Sequence, residues 1–589
     1  MKFTPACVAA FFFAVAVAHA EPPALQNARS DIYSGLYENG EFQSLTFVNP
    51  VVGWSTFFNN GFYGVNRVIG NIEAGHVWGG HEAFLRPGNF PAAIARTVTG
   101  TGALNEIDFH ATMVGHVLAG TGYVAEDDVY QFVGLGMAPA AALWSGAIAT
   151  SYSATTVGSF ETTTASTISV YRSFFQGNGT VKPDAINSSW GGGDASASSP
   201  EMLAIDGLAT QNPTVALVTS AGNAGSAPVS APGAAFNGIT VGSLGGGSFL
   251  VPSDFSSSGP VDFFNPVSGI THSGVRAAVD LAAPGELLVL AAYLGKSGSL
   301  NASEDQDIQA LLQDSPVSDL YFLNQDGTSF SAPIVAGGIA LLKDAAARDV
   351  VYNLNAVPTA SDTRVIKSVL MAGATRTVGW NNGQTLGLGG VVSTTTALDP
   401  ETGAGALNLD NTVGIYLLSG TRDLPGAGGG TVSETGWDYA SVALSGANDY
   451  FFATEFETEV ELAVSLNWFA GRTFDNGSDT GENLWFSNID LEIWRTTGNA
   501  FTSLYAESSS IYNNTEFLRL NLPAGSYGIR VAFGEIVFEV TEGSVLFEEY
   551  GIAWQTIAVP EVSTALLISV AGGVLLLRFR RRRVSCRTT

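Results

Sequence analysis

Between residues 68 and 345, short runs of β-branched and apolar residues alternate with longer stretches of helical period. The runs 68–72, 141–148, 185–189, 214–219 and 238–241 are apolar almost throughout, which predicts strands buried on both faces. Residues 110–120 and 200–210 are predicted helices, the second stopped by Asn212-Pro213. This alternation implies an α/β fold with a doubly wound, mostly parallel sheet whose reactive groups collect at the carboxyl ends of the strands. Farther along, the period falls to two. Val460, Leu462, Val464, Leu466 and Trp468 alternate with Glu459, Glu461, Ala463, Ser465 and Asn467, and Ile489, Leu491 and Ile493 alternate with Asp490 and Glu492. The expectation is an antiparallel β-sandwich over 435–556 with one wet face per sheet. The Gly-rich stretch 419–434 between the two patterns is predicted as a linker.

The two ends of the chain read differently from its body. Lys2, an apolar run over 9–18 and Ala18-His19-Ala20 form a charged start, a greasy core and a small-x-small cleavage site, so 1–20 is expected to be a secretory signal peptide. Residues 562–577 carry no charge and are followed by Arg578, Arg580, Arg581, Arg582 and Arg583. A helix there spans roughly 24 Å, enough for a C-terminal membrane helix with snorkelling arginines. The basic cluster stays cytoplasmic and the body lies on the far side. Val559-Pro560-Glu561-Val562-Ser563-Thr564-Ala565-Leu566 ahead of that run resembles a PEP-CTERM sorting tail, with Val562 where that pattern has a second proline. The resemblance implies an exosortase-type sorting enzyme as partner. Localisation follows as exported, anchored by the 559–589 tail before sorting, then cell surface or extracellular.

Charge and cysteine content exclude whole classes of function. The chain has 25 Lys+Arg against 53 Asp+Glu, a formal charge of −28, and its tail holds a disproportionate share of the arginines. A body so acidic has no basic stripe with which to neutralise phosphates, so nucleic acid is not a partner. The two cysteines are Cys7 and Cys586, both in the ends, which removes disulfides, thiolate zinc sites and cysteine nucleophiles from the body. The acidic groups permit structural calcium, but no ligand spacing points to it. No other cofactor and no metal site is expected.

The strongest chemical signal is Asp326-Gly327-Thr328-Ser329-Phe330-Ser331-Ala332-Pro333, running into the apolar stretch 334–342. A serine at a helix N-terminus sits where backbone N–H groups and the helix dipole stabilise an oxyanion. Three other segments add to it. Residues 109–120 place His110 at the start of a small-residue helix; Ser220-Ala221-Gly222-Asn223 follows an apolar strand; and Val68-Ile69-Gly70-Asn71-Ile72-Glu73 ends a buried strand on a carboxylate. In this order of acid, His, Asn and Ser the chain resembles the subtilisin-like serine peptidases (subtilases). Further matching pieces are Asn187-Ser188-Ser189-Trp190-Gly191, the stretch 254–260, Asp280-Leu281-Ala282-Ala283-Pro284-Gly285 and 403–408.

The resemblance spans about 67–418 and implies a sheet of subtilisin type and a polypeptide substrate. By it, Ser329 is the nucleophile, His110 the base, Glu73 the acid and Asn223 the oxyanion donor, while Ser189, Trp190, Gly191, Ala221 and Gly222 flank the substrate's first pocket. Glu73 stands where the family has Asp. Its extra methylene moves the carboxylate roughly 1.3–1.5 Å farther from the backbone, a reason to expect reduced activity or a scaffold that binds peptide or polysaccharide without cutting. Asp108 and Glu106 are rival acids, ranked below Glu73 because neither ends a buried strand. His76, His81, His116 and His272 read as structural. The segment 21–66 is short for the family's inhibitory prodomain, so either maturation differs or this stretch stays wrapped on the core.

Overall fold

The computed structural model describes residues 32–559 apart from 35–36, 39–40, 43–45, 85, 87–92, 122–133, 154, 157, 294–320, 349–353, 388 and 427. The expected signal peptide and the expected membrane helix of the tail lie outside the described residues.

Seven strands build the central sheet: β1 (Val68–Glu73), β2 (Ile94–Thr99), β3 (Ala142–Ala147), β4 (Ala185–Ser188), β5 (Ala216–Ser220), β6 (Ile239–Gly245) and β7 (Leu281–Pro284). They lie in the order β6-β5-β4-β1-β3-β2, with β7 also on β6, and all these pairings are parallel. One short antiparallel piece, Val251–Pro252, adds to β6. Successive residues of the apolar runs feed opposite faces. Ile69, Ala216 and Val218 join one core, and Ile72, Ile186 and Leu217 join the other. Helices α1 (Phe109–Ala119), α4 (Thr328–Arg348) and α5 (Thr363–Gly373) supply the first core, and α2 (Thr164–Gln176) and α3 (Pro200–Gln211) the second. β1 lies between β3 and β4, where the chain switches direction across the sheet. That is the crevice at which open α/β sheets gather their reactive groups.

β2 escapes the apolar-run criterion because it is the outer strand, and Ile94, Arg96 and Val98 are only half-buried. The described residues ahead of β1 also feed the main core. Ile32, Val48, Val52, Trp54 and Phe57 are buried in it, the Trp54 indole donates to the Met137 carbonyl (2.7 Å), and the Asn49 amide donates to that of Leu135 (2.8 Å). Among the described residues the one helix long and apolar enough to cross a membrane is α4, and it is buried in the core.

The C-terminal part forms two sheets. One runs in the order Thr385–Leu386, Val392–Thr394, Phe501–Ser508, Thr480–Thr496, Tyr527–Glu539, Ala447–Phe452, Gly430–Val432, with Gly471–Asp475 also paired to the long strand. The other runs Thr421–Arg422, Gly436–Ala443, Phe547–Ala558, Val460–Trp468, Thr515–Leu522. Val460, Leu462, Val464, Leu466, Ile489, Leu491 and Ile493 meet in one core between them.

Two expectations need correction here. The stretch 419–434 is not a free linker: Thr421–Arg422 and Gly430–Val432 are strands, one in each sheet. Its glycines serve close packing as well as turning, since a Cβ on Gly428 would lie 2.4 Å from that of Ala440. Nor does Val460–Trp468 have a wet face. Ala463, Ser465 and Asn467 are buried because α5 covers them; the Asn467 amide donates to Ser368 Oγ (2.8 Å), and Ser368 Oγ–H to the Gly551 carbonyl (2.8 Å). Backbones touch at that point, so Gly551 has no room for a side chain: a Cβ would sit 2.4 Å from the Arg364 carbonyl carbon. On the α3 side, Arg472 and Asp206 form a second, buried link between the two parts, an ion pair at 2.7 Å.

Candidate active site

β1 delivers Glu73 to the switch point, where it is 1% exposed. Its Oε2 lies 3.0 Å from His110 Nδ1, and its Oε1 accepts the Ser189 N–H at 2.9 Å. The extra methylene is therefore accommodated, with both carboxylate oxygens bonded. Asp108 does not compete: it caps α1, its Oδ1 accepting the Ala111 N–H at 2.9 Å, and so fixes the helix that carries His110. Glu106 contributes its backbone carbonyl, which accepts the His76 N–H. Burial pushes the Glu73 carboxyl up, opposed by the His110 ring and the Ser189 amide. Burial works against a charged His110, but the Glu73 charge and hydrogen bond outweigh it, with Asp108 adding, and the ring is held above its ordinary value.

Ser329 is the second residue of α4, close to the helix's free N–H groups. Its hydroxyl donates to the Ser189 carbonyl (3.2 Å), and among the described residues no hydrogen bond joins it to His110. Both side chains line one cleft. Asn223 enters from the loop after β5, where Gly222 takes the left-handed conformation (φ 105°). Asn223 Oδ1 accepts both the N–H (2.9 Å) and the hydroxyl (2.8 Å) of Thr328, whose Oγ accepts the Gly222 N–H (3.0 Å). Two donors on one amide oxygen set its orientation and leave the NH₂ for the cleft. The sequence reading missed Thr328 in this part; its signal was the place directly before the serine.

The cleft holds about 370 Å³, and Glu73, His110, Ser189, Trp190, Gly191, Gly222, Asn223 and Ser329 all line it. Phe160, also unforeseen, packs its edge on Trp190 at 6.3 Å and walls one side. Ala221 is the exception among the expected residues. Its side chain is 2% exposed and packs with Val229 and Val279, because alternation along the strand turns it away from the cleft.

The other histidines lie elsewhere. His116 Nε2 bonds the Gly134 carbonyl (2.7 Å) while its Nδ1 accepts the Ala291 N–H (3.0 Å), and burial lowers it to about 3. His76 is held by Thr99 and Ser145, His81 accepts the Ala83 N–H, and His272 stacks on Tyr512. Among the described residues no three His, Cys, Asp or Glu side chains form a group that could hold a metal ion.

Comparison with known proteins adds a family. The subtilase family model matches residues 95–397, so it begins beyond Glu73. Among solved structures, the chain is similar to the prenylagaramide maturation protease PagA, at 18% identity over 61% of this chain and 98% of that one, with a TM-score of 0.39. It is also similar to the serine protease of Aeromonas sobria, at 15% identity over 84% and 89% of the two chains, with a TM-score of 0.41. No curated protein matches the chain.

Proposed function

The chain belongs to the subtilase family, and from that premise we propose that it is a serine endopeptidase that cleaves polypeptides through an acyl-enzyme, with Glu73 as the acid of its triad. One observation carries this reading: four widely separated segments bring Glu73, His110, Asn223 and Ser329 to a single cleft, with the carboxylate already on the imidazole at 3.0 Å.

The chemistry follows from the positions. An extended substrate pairs its backbone with Ser189, Trp190, Gly191 and Gly222, and the Ser329 hydroxyl turns from the Ser189 carbonyl to His110 Nε2. Ser329 Oγ attacks the scissile carbonyl as His110 takes its proton, while the ionised Glu73 steadies the imidazolium. The Asn223 NH₂ and the Ser329 N–H receive the oxyanion. His110 then protonates the leaving amine, and water reverses the sequence to free the acid. The reading extends to an exported enzyme held at the membrane by its tail and released to the surface by an exosortase-type enzyme, which fractionation of tail-deleted and intact protein tests.

The deciding measurement is labelling by a fluorophosphonate, expected in wild type and absent in Ser329→Ala. Equal labelling of the two, or peptide binding by both with no turnover, replaces the enzyme with a binding scaffold.

A further inference from the structure

Every polar group of Ser189 is committed to the catalytic constellation. Its N–H holds Glu73 Oε1 (2.9 Å) and its carbonyl receives the Ser329 hydroxyl (3.2 Å). Its own hydroxyl donates to the backbone carbonyl of Ser329 (2.8 Å) and accepts from the Asn187 amide (3.0 Å). The donation to the Ser329 carbonyl answers a specific gap in the helix ladder. In an α-helix the carbonyl of residue 329 takes the N–H of residue 333, but Pro333 stands inside α4 and has none. The nucleophile's own carbonyl, buried with it, is thereby left for a side chain, and Ser189 fills the gap.

We propose that Ser189, beyond lining the substrate cleft, is a positioning residue whose hydroxyl substitutes for the N–H missing at Pro333 and fixes the first turn of α4, and with it Ser329, against the strand that docks the substrate. This rests on the peptidase reading above. The device ties the two halves of the site through one side chain: the same residue whose backbone orients Glu73 holds the nucleophile in register with the acid and base. It also separates binding from chemistry, because the backbone groups of 190–191, and the Ser189 carbonyl once the Ser329 hydroxyl has turned to His110, pair with a peptide without the Ser189 hydroxyl.

The test is steady-state kinetics and fluorophosphonate labelling on wild type, Ser189→Ala, Ser189→Thr, Pro333→Ala and the Ser189→Ala/Pro333→Ala double variant, with melting temperatures alongside. Ser189→Ala is expected to lower kcat and the labelling rate about 10- to 100-fold with KM within about twofold. The acid limb of its pH profile should stay in place, since the Ser189 N–H still holds Glu73. Ser189→Thr keeps a hydroxyl and should restore most of the rate. Pro333→Ala returns an N–H to the ladder, so the cost of losing the hydroxyl should shrink at least severalfold in that background, a coupling that mere loss of packing does not produce.

An active wild type with Ser189→Ala at the same kcat overturns the inference and leaves the peptidase intact. So does a Ser189→Ala penalty of the same size in the native and the Pro333→Ala backgrounds. If Ser189→Ala fails to fold, the inference stands or falls on whether the double variant folds and regains labelling. A wild type that neither labels nor turns over peptide ends both readings together.

Discussion

At the scale of single residues, the informative feature is a glutamate in an aspartate's place. The β1 strand ends so that the longer side chain reaches His110 at 3.0 Å and still has an oxygen for the Ser189 N–H. The backbone accommodates the longer side chain with both carboxylate oxygens bonded. Glu73→Asp should therefore lower kcat, by about 10- to 100-fold, because a carboxylate drawn back by roughly 1.3–1.5 Å cannot keep both bonds. Glu73→Gln should cost about 10³–10⁴ in kcat, the order lost when a triad acid is removed. It should also shift the pH profile. The Glu73 charge raises His110, so removing that charge lowers the ring's pKa and moves the acid limb to lower pH. A limb that stays put or climbs would show that Glu73 does not face the base. Asn223→Ala should cost about 10²–10³ in kcat with little change in KM, as loss of one oxyanion donor does.

The element scale belongs to α1, which carries His110, the proposed base, as its second residue and so depends on its cap. Asp108 supplies that cap through the Ala111 N–H. Asp108→Ala should destabilise the fold by about 1 kcal/mol, while Asp108→Asn, which keeps the accepting oxygen, should not. Denaturant titration of the two variants measures the difference, and equal losses would assign the effect to charge rather than to capping. Much at this scale was legible beforehand. A small-residue helix starting at His110, an apolar strand feeding Asn223 and a serine ahead of a helix are local patterns, written in consecutive residues. What stayed hidden was contact made at a distance. Nothing near Thr328 in the chain says that its hydroxyl orients an amide from the loop after β5, and nothing near Ala463 says that α5 covers it.

The whole molecule has two layers of organisation that share an interface. Buried Arg472 and Asp206, the α5 contacts and the Asn514 amide on the Phe236 carbonyl (2.8 Å) make the two-sheet part a structural support of the family domain rather than a tethered module. A chain ending at residue 418 should accordingly be insoluble or inactive, since truncation uncovers apolar residues of α5 and leaves Asp206 buried without Arg472. Soluble, active 21–418 would count against that dependence.

The same part also sets a pH response. Burial pushes Glu516 to about 8 and Asp438 and Glu548 to about 7. Each holds its proton in the folded chain at a pH where the unfolded chain has released it, so stability falls as pH climbs from the ordinary carboxyl range towards these values and levels off above them. The buried His116 is neutral in the folded chain, and its unfolded ring finishes losing its proton just above pH 6.5, a small opposing gain that is complete well before pH 8.5. Scanning calorimetry should show a melting temperature several degrees lower at pH 8.5 than at pH 6.5, with a smaller drop in Glu516→Gln. A flat or rising curve would contradict the buried, protonated acids.

The sequence by itself determined the alternation that builds the parallel sheet and the two-residue period of the C-terminal strands, and it put forward a serine, a histidine, an asparagine and an acid as candidates. All of these are fixed by short-range chemistry: side-chain period, turn residues, and which groups can serve as nucleophile, base and donor. Only the tertiary structure decided that Glu73 reaches its partner, that Ala221 turns away, that 419–434 is woven into two sheets and that an alternating strand is buried on both sides. Those outcomes depend on which distant surfaces meet, and burial, unlike period, is a property that no segment carries alone.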